Sequence, residues 1–148
     1  MCKDLSELAD DDPTLVAMQK ALEGQTTKLW NEERKVIGGN LSVLYGLQGT
    51  PWDIHHIIDQ IDTAPILLLE DIAEAHYHID RMMNNLRLSG VLERLSGVII
   101  GHFTDCKDDE RMGCSIKETI RQALSGYDYP VIEAPVGHEQ PNMPIMLG

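Results

Sequence analysis

Glu70 closes the apolar run Ile66-Leu67-Leu68-Leu69, and His138 sits in the polar loop Gly137-His138-Glu139-Gln140-Pro141-Asn142 between two apolar segments. A carboxylate at the C-terminal end of a buried strand is well placed for chemistry, because ligands and catalytic groups gather at such ends in open α/β sheets. A histidine on an irregular loop can serve as a general base, since its ordinary pKa lies close to neutral pH. Each also has a plainer reading. Glu70 and Asp71 can begin a solvated turn or cap the next helix, and His138 can be an ordinary surface histidine.

The other candidates are weaker. His76 and His78, with Glu74 and Asp80, crowd one helical stretch. Two histidines at i and i+2 do not share a helical face, which makes a poor zinc site; Glu74 and His78 at i, i+4 do share one and suit a surface pair. His55-His56 and His102 are further possible ligands with no fixed partners. Cys2, Cys106 and Cys114 are odd in number, and Cys106 and Cys114 are spaced too widely for a structural zinc knuckle, so free thiols are expected. The chain has no P-loop, no dinucleotide-binding glycine motif and no H-E-x-x-H. None of its six serines (Ser6, Ser42, Ser89, Ser96, Ser115, Ser125) sits in G-x-S-x-G. No metal and no cofactor is therefore expected.

The elements that must position Glu70 and His138 follow from local pattern. Asp12-Pro13 reads as an N-cap and first helical residue, with Leu15, Met18 and Leu22 as an inner stripe and Gly24 as the stop. Val36-Ile37 is strand-like, Gly38-Gly39-Asn40 is expected as a turn ending in an N-cap, and a short helix runs from Leu41 to Leu47. Gly49-Thr50-Pro51 ends it, and the stretch around His55-His56 is expected to be irregular. Ile66 to Leu69 is a strand buried on both faces, stopped by Glu70-Asp71. A helix from Ala73 to Leu88 follows, with Ile79, Met82, Met83 and Leu86 inward and Gly90 behind it. Ser96 to Gly101 is a second buried strand, and Thr104 to Gly113 an exposed, Asp-rich loop. Ser115 and Glu118 form a capping box for a helix through Leu124, ended by Gly126. Tyr129 to Ile132 is a third strand, and Met143 to Leu147 reads as the start of another. Alternating strand and helix between 66 and 134 predicts an α/β domain.

Composition narrows the function classes. At 148 residues and 43% hydrophobic content, the chain is one globular domain in size. Its net charge is −12, and its 12 Lys and Arg are scattered. A nucleic-acid binder needs a basic stripe, and an acidic surface opposes binding to anionic membranes. No apolar run approaches the ~20 residues of a membrane span, and no leader is visible, so a cytoplasmic location is expected.

Three segments in order resemble the LD-carboxypeptidase family, the S66 serine peptidases that include the microcin-immunity hydrolases. They are Ile37-Gly38-Gly39-Asn40-Leu41-Ser42 with Gly49-Thr50-Pro51; Leu67-Leu68-Leu69-Glu70-Asp71-Ile72 continuing through Glu74, Tyr77, Ile79, Asp80, Arg81 and Met82; and Gly137 to Asn142 with Pro144 and Leu147-Gly148. The resemblance implies a swivelling β/β/α-type C-terminal domain that brings a Glu and a His to a nucleophilic serine on an N-terminal domain. It places that Glu at Glu70 and that His at His138, as orienting group and general base of a triad.

On this resemblance residues 1–148 are a C-terminal domain excised from its serine-bearing half, with 1–35 as junction and first helix and 36–148 as the motif-bearing core. Asn31-Glu32-Glu33-Arg34-Lys35 departs from the small, Gly-containing stretch of relatives, and no segment matches the serine-bearing half. The implied parent is a cytoplasmic, metal-free, homodimeric hydrolase that releases terminal D-alanine from murein tetrapeptides in cell-wall recycling; the fragment alone is expected to be inactive. The alternatives are a peptidyl-nucleotide immunity hydrolase of the same family, a non-catalytic binding module, and a metal-dependent hydrolase using His55, His56, His76 or His102. His102 follows a strand much as Glu70 does, yet matches no triad position.

Overall fold

Four consecutive apolar residues leave a strand no polar face to turn to water, so Ile66–Leu69 must be covered on both sides. The computed structural model describes residues 9, 11–22, 34–139, 143, 145 and 147, and in it both faces are covered. The described elements are α1 (Pro13–Leu22), β1 (Val36–Asn40), α2 (Leu41–Gly46), α3 (Ile54–Asp59), β2 (Ile66–Ile72), α4 (His76–Leu88), β3 (Gly97–Thr104), α5 (Ile116–Ala123) and β4 (Val131–Glu133), with 3-10 turns at Leu92–Arg94 and Glu110–Met112. The strands form one parallel sheet in the order β1-β2-β3-β4. The expected α/β class is the architecture observed.

Leu67 and Leu69 pack into one core with Leu41, Ile54, Ile58, Met83, Leu86 and Ile120 from the helices. Ile66, Leu68 and Ile99 face the other way, against Ala134, with Val136, Met143 and Ile145 packed alongside. Ile66, Leu67 and Leu69 are fully buried; burying each such side chain favours folding by about 1.5–3 kcal/mol. The inner face of α4 is the expected one, with Ile79, Met82, Met83 and Leu86 buried. The Ser115–Glu118 capping box forms in full at the start of α5. Among the described residues, no helix is long and apolar enough to cross a membrane.

Several local expectations are corrected. Gly38-Gly39-Asn40 is not a turn but the second half of β1, in register with Leu68, Leu69 and Glu70. Glycine is what makes this possible: Gly38 has φ of +110°, and a Cβ there would meet the Leu68 carbonyl oxygen at 2.3 Å. Asn40 still caps α2, its side chain accepting from the Val43 N–H. The stretch expected to be irregular around His55-His56 is the helix α3, capped by Asp53. Glu70-Asp71 does not stop β2, which runs on to Ile72, and β3 continues past Gly101 to Thr104. The helix expected from Ala73 starts at His76, and the third strand, expected over Tyr129 to Ile132, is the short and largely exposed Val131–Glu133. The Asp-rich loop is not wholly exposed, since Lys107 bridges to Ala75 and Met112 is half-buried. The stripe expected of Met18 and Leu22, the stop at Gly24 and part of the Met143–Leu147 segment lie outside what the described residues cover.

Candidate functional site

In a parallel sheet the C-terminal strand ends all lie at one edge, and Glu70 is near that end of β2. Pairing of β2 with β3 holds to Leu69↔Ile100 and resumes at Asp71↔Phe103. Gly101 and His102 therefore stand together opposite Glu70 alone. This is a β-bulge, a feature that re-aims side chains at a sheet's rim.

The bulge also receives the loop that carries His138. Ala134 N–H donates to the Ile100 carbonyl at 3.0 Å, and His102 N–H donates to the Val136 carbonyl at 2.7 Å. The crossing is close because residue 101 has no side chain: a Cβ there would lie 2.5 Å from the Val136 oxygen and 3.0 Å from Glu70 Cβ. Larger residues at 101 would push the loop off the sheet.

With the loop so held, His138 Nδ1 lies 3.1 Å from Glu70 Oε2. The Glu70 side chain is 11% exposed and that of His138 33%. An ionised carboxylate can only accept, so the proton of the neutral imidazole belongs on Nδ1, and Nε2 keeps its lone pair. Among the described residues no hydrogen-bonding group meets Nε2. The two residues picked from sequence are thus brought together, with the basic nitrogen unpaired among the described residues.

Asp71, which sequence reasoning passed over, holds the neighbouring wall. It is 1% exposed. It accepts from Asn40 Nδ2 at 2.8 Å and from the Ser42 N–H at 2.9 Å, so it fixes the end of β1 and the start of α2 beside Glu70. In the sequence it reads only as a turn or cap residue and as part of the segment around Glu70. Ser42 Oγ is tied inward to Asn40 Oδ1 at 2.7 Å.

The remaining candidates lie elsewhere. His76 is buried in a bridge between the 105–113 loop and α5. His78 pairs with Glu74 at 3.0 Å, as the i, i+4 spacing suggested. His55 and His56 ride on α3 beside Asp53, whose carboxyl is held below the usual range by the backbone N–H groups of Gly49 and His55. Cys106 and Cys114 are free thiols, and burial pushes the Cys106 thiol up; Cys2 lies outside the described residues. Among the described residues no three His, Cys, Asp or Glu side chains gather as a metal-binding set. A cavity of about 770 Å³ opens between the end of β3, α5 and the 133–139 segment; Gly101, His102 and Glu139 line it, and Glu70 and His138 do not.

Comparison with known proteins identifies the family of the chain. A family model described as the LD-carboxypeptidase C-terminal domain matches residues 33–148. The probable murein peptide carboxypeptidase of Bacillus subtilis is 31% identical over 119 residues, which cover 78% of this chain and 35% of that protein. The microcin C7 self-immunity protein of Escherichia coli is 30% identical over 119 residues, 78% of this chain and 32% of that protein. The crystal structure of muramoyltetrapeptide carboxypeptidase from Oxalobacter formigenes matches with a TM-score of 0.60 at 29% identity, over 74% of this chain and 36% of that one. The microcin C7 self-immunity protein, matching with a TM-score of 0.53 at 29% identity over 68% of this chain and 28% of its own, has been solved as an active-site mutant with a serine, an asparagine and a lysine replaced. The chain spans about a third of the length of these relatives.

Proposed function

Since the chain belongs to the LD-carboxypeptidase family, as its C-terminal domain, we propose that Glu70 and His138 are two members of a serine-hydrolase triad whose nucleophile is supplied by sequence outside this chain. The observation that carries the reading is the 3.1 Å contact between His138 Nδ1 and Glu70 Oε2 at the rim of the sheet. His138 Nε2 would take the serine proton as the hydroxyl attacks the peptide carbonyl, then deliver it to the leaving amine. Glu70 would hold the productive tautomer and stabilise the imidazolium formed in between. The substrate we favour is a murein tetrapeptide that loses its terminal D-alanine, in a cytoplasmic, homodimeric enzyme of cell-wall recycling. Residues 36–148 form the motif-bearing core, and the chain alone does not turn over.

The names of the relatives support a peptide substrate, and the near-equal identity to the microcin C7 self-immunity protein keeps a peptidyl-nucleotide as the second substrate to test. The test fuses this chain behind the preceding part of the Bacillus subtilis relative and measures release of D-alanine from the tetrapeptide and cleavage of a peptidyl-nucleotide. Turnover by the fusion and none by the chain alone is expected. Turnover by the chain alone, or a fusion untouched by Glu70→Ala, would overturn the reading.

A further inference from the structure

Helix α4 buries one face and leaves the other uncovered. Ile79, Met82, Met83 and Leu86 face the core, and the opposite stripe carries Tyr77, Arg81, Asn84 and Leu88. Leu88 is 87% exposed, the most of any large apolar side chain among the described residues, and Tyr77 is 45% exposed. A groove of about 530 Å³ runs along this stripe, with Asp80 and Met112 also in its wall. Tyr77, Asp80, Arg81 and Asn84 stand at i, i+3, i+4 and i+7. Such a diamond of neighbours is the hole that receives one knob from a facing helix. Leu88, one turn beyond Asn84, is a knob of the right kind. The same helix face thus carries both halves of a knobs-into-holes contact.

A second copy of this chain satisfies both halves at once. In an antiparallel pair about a two-fold axis, Leu88 of each copy fills the hole of the other, an isologous contact. Asn84 then falls at the axis, because Leu88 and the centre of the hole lie nearly equally far from it. Its Nδ2 bonds Asp80, and its Oδ1 accepts nothing among the described residues. Arg81 lies over the Tyr77 ring and has no carboxylate partner among the described residues. In the pair it faces the last turn of the other α4, where a helix favours a cation. Net charge selects the same strip. A chain of charge −12 repels its copy over most of its surface, whereas Asp80 and Arg81 cancel within this groove. The serine-bearing half is a poorer occupant. α4 packs on the sheet face of Leu67 and Leu69, and Glu70, next in the alternation, belongs to the opposite face. A half that reaches the dyad from the Glu70 side leaves the outer face of α4 free.

We propose that the outer face of α4 is a self-association surface, and that its partner is the α4 of a second copy of this chain, packed antiparallel. The inference rests on the homodimeric reading above and gives that dimer its contact. One helix pair is a small interface, so the dimer is weak and reversible.

The test is sedimentation velocity of the chain over a range of concentrations, with nitrogen-15 amide spectra recorded alongside. A reversible dimer with a dissociation constant of about 10–100 µM is expected. Leu88→Glu and Tyr77→Ser should each weaken it at least about 10-fold, since one removes the knob and the other opens the hole. Trp52→Ser, at an apolar side chain 71% exposed on another element, should change it by less than about 2-fold. Amide signals that move with concentration should cluster at residues 77–88 and at Met112. A chain that stays monomeric at about 500 µM would overturn the proposal. So would a dimer that Leu88→Glu leaves intact, or one that Trp52→Ser disrupts. Should Leu88→Glu fail to fold, Tyr77→Ser and the amide map still decide. Insensitivity of fusion turnover to Glu70→Ala, by contrast, strikes the hydrolase reading and leaves these association data standing.

Discussion

His76 and His138 each bond to a residue far away in sequence, yet their surroundings suit opposite tasks. His76 is 1% exposed, and both ring nitrogens are committed. Nδ1 accepts from the Asp109 N–H at 3.1 Å, which leaves Nε2–H to donate to Thr119 Oγ1 at 2.8 Å. Such an imidazole is a neutral strut that ties α4 to the 105–113 loop and to α5. His138 commits one nitrogen to a carboxylate and leaves the other without a partner among the described residues. A histidine's capacity for chemistry therefore follows from how many of its nitrogens the fold has already used, and neither count can be read from the residues beside it in the chain.

The comparison is broken most forcefully at His138. In the fused enzyme His138→Ala and Glu70→Ala should each lower kcat by about 10⁴-fold, roughly 5 kcal/mol of barrier. The double variant should be little worse than His138→Ala, because an orienting group has nothing to orient once the base is gone. Multiplicative losses, or near-normal kcat in His138→Ala, would remove the distinction between the two histidines. Binding should suffer far less than turnover, since neither side chain need hold the ground state.

The effect expected at His76 is on stability. His76→Ala empties a packed site and orphans the Asp109 N–H, and should cost about 2–4 kcal/mol in denaturant unfolding of the chain. A loss below about 0.5 kcal/mol would mean that the bridge is ornamental and the contrast with His138 false.

Acid titration sharpens the contrast by separating histidine effects from those of carboxylates. Asp53 has its folded pKa lowered by the N–H groups of Gly49 and His55, at 2.7 and 3.0 Å. A lowered folded pKa means that its contribution is complete above the unfolded value and disappears as pH falls through the folded one. Asp53→Ala should therefore cost about 1 kcal/mol at neutral pH, as loss of a helix cap does, and progressively less in acid. Urea midpoints of both proteins across that range check this. A difference that grows in acid would contradict the cap.

The buried strands and amphipathic helices are legible in the sequence because burial and period act locally. Ile66–Leu69, the inner face of α4 and the Ser115–Glu118 cap need no knowledge of distant residues. β1 is hidden because Gly38-Gly39 reads as a turn until Leu68 is placed against it. α3 is hidden because two histidines distract from the Asp53 cap and from Ile54 and Ile58, buried four apart. Glu70 and His138 stand out by residue type and position, but their meeting depends on a bulge, and a bulge is a relation between two strands rather than a property of either. The role of Asp71 was out of reach for the same reason, since it rests on Asn40 and Ser42 brought beside it by the register of β1 against β2.

The sheet's order, in which each strand lies beside the one before it in the chain, bears on how the molecule comes together. Every new strand can dock on the edge of the one made just before it, but each pairing is parallel and spans a helical crossover, the kind of non-local contact that forms slowly. The contact between Glu70 and His138 reaches further still, across a sequence separation of 68. It can close only after β3 has formed its bulge and the segment beyond β4 has crossed it. The rim contact thus depends on pairings made elsewhere, and its presence registers that β2, β3 and the segment beyond β4 are in place.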